Sequence, residues 1–416
     1  MKAVWKGGSA YGLSNALAAG TQFATILVFA GALRPDDFGH LSMFSVLYIL
    51  LSMIIGLGLS AAAQHAYFQV TYEKFKILIS TILKVIICFA LLIALLIALV
   101  PYDLLKHASL PRVWVIFAVA TASAQTLVQI FLTILQTQGK LSTYLKVSTF
   151  QITLQLIFPI GFLLLRRQDW QLAVLAQSAS PIFVGGMVFL ILFKEGYIKR
   201  GNSIEPLVDA LRYSWPLVLH QVAAWVISMV DRFIIASHFG VAEAGVYSLS
   251  FQIAQAVNII SNSLNQAMVP VMFRLLAKKP TDQVKIRRLN LLYAIALLVS
   301  STIFLLAFLA FAPLALSSYY QPAIKYTPWL ICSFFLLAVS RISANFLLYY
   351  RRTFTLAIST ILSALLSLLL NLLLIPRFGL TGACWASVVS FCALLVITTW
   401  QAQKCFNQQL SKPDSN

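Results

Sequence analysis

The feature that most constrains this chain is a succession of long apolar stretches separated by short polar segments. A helix of about 20 apolar residues is long enough to cross the hydrocarbon core of a bilayer. Twelve stretches of this kind follow one another along the 416 residues. We therefore predict an all-α integral membrane protein with twelve transmembrane helices. The predicted spans are 9–33, 41–64, 77–100, 112–136, 144–165, 170–193, 213–238, 243–267, 289–312, 326–349, 353–375 and 380–403.

The composition agrees with a chain that exposes little surface to water. Hydrophobic residues make up 60% of the sequence and charged residues 10%, and the mean hydropathy is +0.87. Soluble domains carry about 25% charged residues, so this chain has too few to cover a water-facing surface. The net charge of +18 does not indicate nucleic-acid binding, because the basic residues lie mainly between the apolar stretches.

The positions of the basic residues predict the orientation in the membrane. We place the N-terminus in the cytoplasm and let the sides alternate. Of the 30 Lys and Arg residues, 20 then fall in cytoplasmic segments, 7 in outer segments and 3 within spans. Cytoplasmic loops of membrane proteins carry an excess of Lys and Arg. We therefore predict that both termini are cytoplasmic.

Two pairs of short motifs indicate an internal duplication. Residues 34–42 follow the first span and residues 240–248 follow the seventh, and both contain an acidic residue, a glycine and a serine at the same spacing. Residues 138–143 and 351–355 stand at equivalent places between later spans. The offsets are 206 for the first pair and about 212 for the second. Six spans per copy give the copies the same orientation, with a cleft between them.

The loop at residues 194–212 divides the spans into six and six. We therefore predict an N-terminal six-helix bundle over residues 1–195, a cytoplasmic linker over 196–212 and a C-terminal six-helix bundle over 213–416. The two bundles are expected to surround a central cavity.

Charged side chains within a bilayer are costly, so each one needs a physical reason. Three basic residues, Lys84, Arg232 and Arg341, lie within predicted spans, together with the carboxylate of Asp231. Lys84 is close enough to the inner end of its span to extend its charge to the interface. Asp231 and Arg232 either pair with neighbours or meet interfacial water. Arg341 lies deeper and shares a helix face with Asn345, so we favour a cavity position for it.

The eighth span carries six amide side chains, most of them on one stripe of the helix. Interhelical hydrogen bonds contribute only about 0.6 kcal/mol each, so six amides exceed what helix association needs. We therefore predict that the stripe faces a watery cleft rather than another helix. The predicted cavity residues are Arg341, Asn345, Lys84, Arg232, Asp231, Gln252, Gln255, Asn258, Asn262, Gln125 and Gln129.

Catalytic motifs are absent from the sequence. It contains no HExxH, no phosphate-binding loop, no GxSxG and no acidic metal cluster. We therefore predict that the chain is not an enzyme and needs no cofactor.

Three segments of the chain resemble a known family. The third segment is the most specific, and together they cover both halves of the sequence. The segments are Leu33–Ser42 with Gly56–Ser60, Asp231–Ile235 with Ala242–Ser248, and Asn371–Ala383 with Ala386–Ser387. They resemble signature segments of polysaccharide-exporter and O-antigen flippases of the multidrug/oligosaccharidyl-lipid/polysaccharide flippase superfamily.

The resemblance implies a function and a location. Flippases of this kind have two six-helix bundles around a central cavity. They move undecaprenyl-diphosphate-linked oligosaccharides from the cytoplasmic to the periplasmic leaflet of the bacterial inner membrane. The implied partners are that lipid-linked glycan, membrane lipids and polysaccharide assembly proteins, with no nucleic acid. The drug-exporting branch shares the fold, but of its usual embedded acidic residues only Asp231 is available here.

Three alternatives remain at this point. An ion-coupled multidrug or metabolite exporter of the same fold predicts efflux phenotypes without a glycan defect. A membrane enzyme, such as a glycan polymerase or ligase, needs a sizeable outer loop or catalytic carboxylates near the membrane face. A scaffolding membrane protein would not explain the polar stripe.

Overall fold

The computed structural model describes residues 2–100, 110–165, 169–197, 204–277 and 283–410. Within these ranges nearly every residue is helical and no β-strand occurs. A helix satisfies its own backbone hydrogen bonds, which is what a segment in lipid requires. The helices in chain order are α1 Lys2–Ala32, α2 Pro35–Gly56, α3 Leu59–Tyr67, α4 Tyr72–Leu99, α5 Arg112–Thr137, α6 Leu141–Leu164, α7 Trp170–Lys194, α8 Ile204–Phe239, α9 Val241–Leu276, α10 Gln283–Ala315, α11 Ala323–Tyr349 and α12 Thr353–Leu410.

In the described parts of the chain, nine helical segments are long and apolar enough to cross a membrane. Helices α2 and α3 form one of them, Pro35–Tyr67, and α12 contributes another, Thr353–Cys405. Gly379, at φ 59° and ψ −140°, breaks α12 into two helical segments. Helix α9 is not one of the nine, because its amide side chains lower its hydropathy. The predicted all-helical fold with many spans is confirmed, and the count of twelve stays a prediction.

The described residues form two compact units, Met1–Val222 and Ala223–Asn416. The boundary falls inside α8, so the first half of that helix groups with unit 1. A Cβ atom added at Gly58, in the turn between α2 and α3, would lie 3.1 Å from the Cβ atom of Ser214 on α8. The first half of α8 therefore packs closely on that turn. The predicted division at 196–212 remains a prediction about domain organisation.

In unit 1, α5 packs against α2, α4 and α7, while α6 packs against α1 and α7. Polar pairs tie these helices together. Gln151 Nε2 donates to Gln125 Oε1 over 3.0 Å, and Ser180 Oγ donates to the backbone oxygen of Gln151. The side chains of Ser45 on α2 and Gln177 on α7 are also hydrogen-bonded to each other.

In unit 2, α11 packs against α9, α10 and α12. An apolar cluster joins α8 to both segments of α12, through Ala223 and Ile227 on α8, Ala364 on the first segment, and Phe391 and Leu394 on the second. Unit 2 therefore places α11 and α12 at its core, with the polar helix α9 beside α11.

Both pairs of repeated motifs adopt matching local structures. In the first pair, Arg34 and Gly240 are the residues that precede α2 and α9, and each accepts the first helical hydrogen bond with its backbone oxygen. Asp37 and Glu243 lie in the first turns of those helices, where an acidic side chain complements the exposed N–H groups.

The second pair forms the same helix-ending turn. Gly139 and Arg351 both have positive φ, at 68° and 56°. The N–H of the next residue reaches back five residues in each case, from Lys140 to Leu135 over 2.9 Å and from Arg352 to Leu347 over 2.7 Å. This is the hydrogen-bond pattern of a helix that ends in a left-handed residue. The offset of 212 holds for every member of the pattern, which supports the predicted duplication.

Candidate substrate site

The side chain of Arg341 joins two helices of unit 2. Arg341 lies in the last third of α11 and is half-buried. One guanidinium nitrogen donates to Asn258 Oδ1 and the other to Ser261 Oγ, both on α9. Tyr293 of α10 donates to the backbone oxygen of Ser261 over 3.4 Å. Three helices therefore meet at one cationic group.

The charge of Arg341 is not neutralised by a carboxylate among the described residues. Both of its partners are neutral oxygens, and it forms no ion pair in these ranges. A cation held among apolar helices without a counter-ion is costly, and it attracts an anion. Because the side chain is only half-buried, a ligand on the surface of unit 2 can reach it.

A second polar contact lies one helical turn further along. Asn345 Nδ2 donates to Asn265 Oδ1 over 2.7 Å, again between α11 and α9. Asn345 is buried and Asn265 half-buried. The predicted pairing of Arg341 and Asn345 on one helix face therefore corresponds to two consecutive contacts with the polar stripe of α9.

The rest of the stripe is partly open. Gln252 and Gln255 are half-buried, and Asn262 is exposed. Amide groups that are not enclosed can exchange hydrogen bonds with water or with a polar ligand. This arrangement gives α9 one face with amides held by α11 and others available to a ligand.

Asp231 and Arg232 lie in a different network, near the C-terminal end of α8. Arg232 Nη1 is 2.8 Å from Asp231 Oδ1, and the Tyr247 hydroxyl donates to Asp231 Oδ2 over 2.6 Å. The guanidinium also donates to the backbone oxygen of Ser228 and lies over the ring of Phe251, 4.0 Å from its centre. The exposed fractions of Asp231 and Arg232 are 1% and 2%.

This network is enclosed by protein within unit 2, and the charges of its two ionised members balance. The geometry favours a structural role for Asp231 and Arg232. Their predicted place in a substrate cavity stays a prediction that depends on another conformation.

The remaining predicted residues lie in unit 1. Lys84 is half-buried on α4, Gln125 is half-buried on α5 and Gln129 is exposed on α5. Gln125 accepts a hydrogen bond from Gln151 and so contributes to helix packing. The structure does not join these residues to Arg341, and their predicted role in the cavity stays untested.

Two members of the Arg341 site escape sequence reasoning. Ser261 follows Asn258 by three residues and so lies on the same face of α9, which a pattern of amides alone does not reveal. Tyr293 belongs to α10, and only its spatial position connects it to the site. Spacing within one helix identifies a face, but not the partner helix.

The fold matches solved transporter structures over almost the whole chain. A lipid II flippase, MurJ, in an inward closed conformation has a TM-score of 0.72 at 12% identity, covering 98% of this chain and 93% of its own. An inward-facing multidrug resistance MATE family transporter of the MOP superfamily has a TM-score of 0.65 at 15% identity, covering 95% and 96%. A MOP superfamily transporter from Pyrococcus furiosus has a TM-score of 0.58 at 14% identity, covering 98% and 97%.

These likenesses and the apolar helices define the class: a multi-pass α-helical membrane protein that shares its fold with these solved structures. All three matched proteins are described as transporters or a flippase, and none as an enzyme. The sequence model of the polysaccharide biosynthesis protein family matches residues 4–276. The chain belongs to that family. No curated protein matches its sequence.

Proposed function

We propose that this protein is a flippase for undecaprenyl-diphosphate-linked oligosaccharide repeat units. It moves them from the cytoplasmic to the periplasmic leaflet of the bacterial inner membrane by alternating access. Membership of the polysaccharide biosynthesis family supports the glycan part of the substrate, and the fold shared with a lipid II flippase supports the lipid-linked part.

The observation that carries the proposal is the uncompensated guanidinium of Arg341 beside the amides of α9. A diphosphate-linked sugar is anionic at the phosphates and rich in hydroxyl groups. The guanidinium offsets the phosphate charge, and the open amides at Gln252, Gln255 and Asn262 replace water around the hydroxyl groups. An inside-negative membrane potential favours outward movement of an anion by about 2.3 kcal/mol per charge per 100 mV.

The proposal includes a topology of twelve spans in two six-helix bundles around a central cavity, with both termini cytoplasmic. Three additions to the nine apolar segments give this number: α1, α9 and the division of α12 at Gly379. The matching turns at offsets of 206 and 212 support two copies of one six-span unit.

The test replaces Arg341 in a strain whose surface glycan depends on this protein. We expect Arg341→Gln to reduce surface glycan strongly and Arg341→Lys to reduce it less, because Lys keeps the charge but not the forked geometry. Lys325→Gln is the matched control, since it removes a positive charge from the outer end of the same helix.

Normal glycan in Arg341→Gln, at a protein level equal to that of the wild type, would exclude a substrate role for Arg341. The rival function, an ion-coupled drug or metabolite exporter, is favoured by the match to a multidrug transporter. It predicts that deletion of the gene sensitises cells to toxic compounds and leaves surface glycan unchanged.

A further inference from the structure

A row of buried polar side chains runs through unit 2 along α12. Four residues at intervals of four, Ser359, Ser363, Ser367 and Asn371, occupy one face of its first segment, and each is at most 1% exposed. The second segment carries a second row, which consists of Ser387, Ser390, Thr398 and Gln401. Its first three members are at most 1% exposed, and Gln401 is half-buried. We call the two rows together the polar seam.

One hydrogen bond sets the register of the two rows. Ser359 Oγ donates to Gln401 Oε1, and the chain reverses direction at Gly379. Counted from that contact, Asn371 lies about 18 Å along the first segment and Ser387 about 21 Å along the second, at 1.5 Å per helical residue. Asn371 and Ser387 therefore lie at nearly the same depth.

The outer end of the polar seam reaches the Asp231 network. Ser387 Oγ is 3.5 Å from the hydroxyl of Tyr247, which donates to Asp231. Ala223 and Ile227 of α8 pack in one apolar cluster with Ala364 of the first segment of α12. Asp231 follows Ile227 by four residues and so lies on the same face of α8. The titratable groups around Asp231 are Arg232 on α8, Tyr247 on α9 and Cys384 on α12.

Two atoms within the polar seam have no hydrogen-bond partner. They are Ser363 Oγ and Asn371 Oδ1, both fully buried. The amide nitrogen of Asn371 donates to Ser367, so its oxygen is held in place beside the row. Buried polar atoms are almost always paired, and where protein supplies no partner a water molecule commonly does.

From this geometry we propose that the polar seam holds water molecules and forms a route for water and protons between the cytoplasmic end of unit 2 and Asp231. Gln401 and Ser359 form its cytoplasmic end in the proposed topology. Ser363 Oγ and Asn371 Oδ1 bind water along it, and Tyr247 connects it to the carboxylate. The competing explanation is a dry seam, in which the small serines serve only to bring helices close together.

Cysteine accessibility separates a hydrated seam from a dry one. Ser363→Cys and Ser367→Cys are near-isosteric substitutions, and Leu365→Cys and Leu369→Cys are matched controls on the exposed, lipid-facing side of the same segment. Inverted membrane vesicles are treated with aminoethyl methanethiosulfonate, and each cysteine is quantified by peptide mass spectrometry. We expect the seam positions to react at least about tenfold faster, because the reagent needs a thiolate and thiolates form in water.

A second variant tests whether the reagent reaches the probe from the cytoplasmic end of the polar seam. Ser363→Val, combined with Ser367→Cys, fills the seam between the cytoplasmic end and the probe, and it is expected to return the reaction to the rate of the lipid-facing controls. If the valine variant does not accumulate, Ser363→Ala removes the hydroxyl that binds water at this position, and it is expected to slow the reaction at Ser367→Cys.

Equal reaction rates at seam and lipid-facing positions would show that the seam is dry and overturn the proposal. So would an unchanged rate at Ser367→Cys behind the filled position. Neither outcome depends on the substrate of the proposed flippase, because the measurement involves no substrate; the proposed topology supplies only the cytoplasmic end of the seam.

Discussion

At the scale of single residues, the Asp231–Arg232 pair has an unusual origin. Adjacent residues on a helix point in different directions and do not normally face each other. Here Arg232 folds back onto Asp231, because the ring of Phe251 covers its guanidinium. The hydroxyl of Tyr247 donates a hydrogen bond to the other carboxylate oxygen of Asp231. The pair is thus held by α9 and not by α8 alone.

The first prediction concerns the stability that depends on this pair. Asp231→Leu leaves a buried guanidinium without a counter-charge, and the loss of one partner of a buried ion pair costs about 3–5 kcal/mol. Arg232→Met is expected to cost a similar amount. The double variant should be less destabilised than the sum of the two, since neither charge is then left alone. Thermal unfolding of the purified protein in detergent measures all three.

Additive losses in that cycle would show that the two side chains do not depend on each other. Tyr247→Phe is a further control, because it removes one hydrogen bond to a charged acceptor and should cost about 1.5–3 kcal/mol.

Sequence alone reaches part of the residue scale. Arg341, Asn345 and Asn258 could be predicted, because an isolated charge or amide in an apolar span requires a partner. The closure of the Asp231 network could not, since it depends on the ring of Phe251 and the hydroxyl of Tyr247 from another helix.

At the scale of helices, the two equivalent turns differ in one informative way. The left-handed position is Gly139 in one copy and Arg351 in the other. A left-handed conformation costs an L-residue about 1–2 kcal/mol, and glycine avoids that cost. The two turns therefore have the same backbone geometry, with strain in only one of them.

The second prediction follows from this difference. Gly139→Ala is expected to lower the free energy of unfolding by about 1 kcal/mol, because alanine must adopt positive φ. Arg351→Gly should leave stability unchanged or raise it slightly. Thermal unfolding of both variants compares them, and a larger loss in Arg351→Gly than in Gly139→Ala would contradict this account of the turn.

The third prediction concerns the break in α12. A side chain at Gly382 would place its Cβ atom 2.3 Å from the backbone oxygen of Leu374. Backbone atoms cannot give way as a flexible side chain does, so Gly382→Ala should sharply reduce the amount of folded protein in the membrane. Gly186→Ala is the control, because nothing lies within 4 Å of its added atom. Equal accumulation of the two variants in membrane immunoblots would show that the chain reverses differently.

Hydropathy predicts the helices well and their ends less well. The predicted span at 112–136 corresponds to α5, Arg112–Thr137, almost residue for residue. Helix α9 runs to Leu276, nine residues beyond the predicted end at 267, because residues 268–276 are apolar apart from Arg274 and Met268, Met272 and Leu276 pack in a buried cluster. The hydropathy pattern also does not predict the turn at Leu57 and Gly58, which lies inside the predicted span 41–64.

At the scale of the whole molecule, the topology rests on the distribution of positive charge. The fourth prediction is that reporter fusions after residues 34, 167 and 325 report the outer side, and fusions after residues 140, 212, 279 and 352 report the cytoplasm. Each side follows from the excess of Lys and Arg in cytoplasmic segments. A fusion that reports the side opposite to the predicted one would show that a proposed span before it does not cross.

The duplication is a prediction about the whole chain. It rests on short motifs at constant offsets, and the matching hydrogen bonds of Lys140 and Arg352 support it. The substrate is harder to infer, because a cation and several amides fit any anionic, hydroxylated ligand.

The most direct test of the central claim is a transport measurement with purified protein in lipid vesicles. Vesicles with an undecaprenyl-diphosphate-linked oligosaccharide in both leaflets are treated from outside with a glycan-binding lectin that cannot cross the membrane. Wild-type protein should make the inner-leaflet share accessible, while Arg341→Gln should slow this step and Lys325→Gln should not. Accessibility no greater than in protein-free vesicles, with correctly inserted wild-type protein, would contradict the claim that this protein is a flippase.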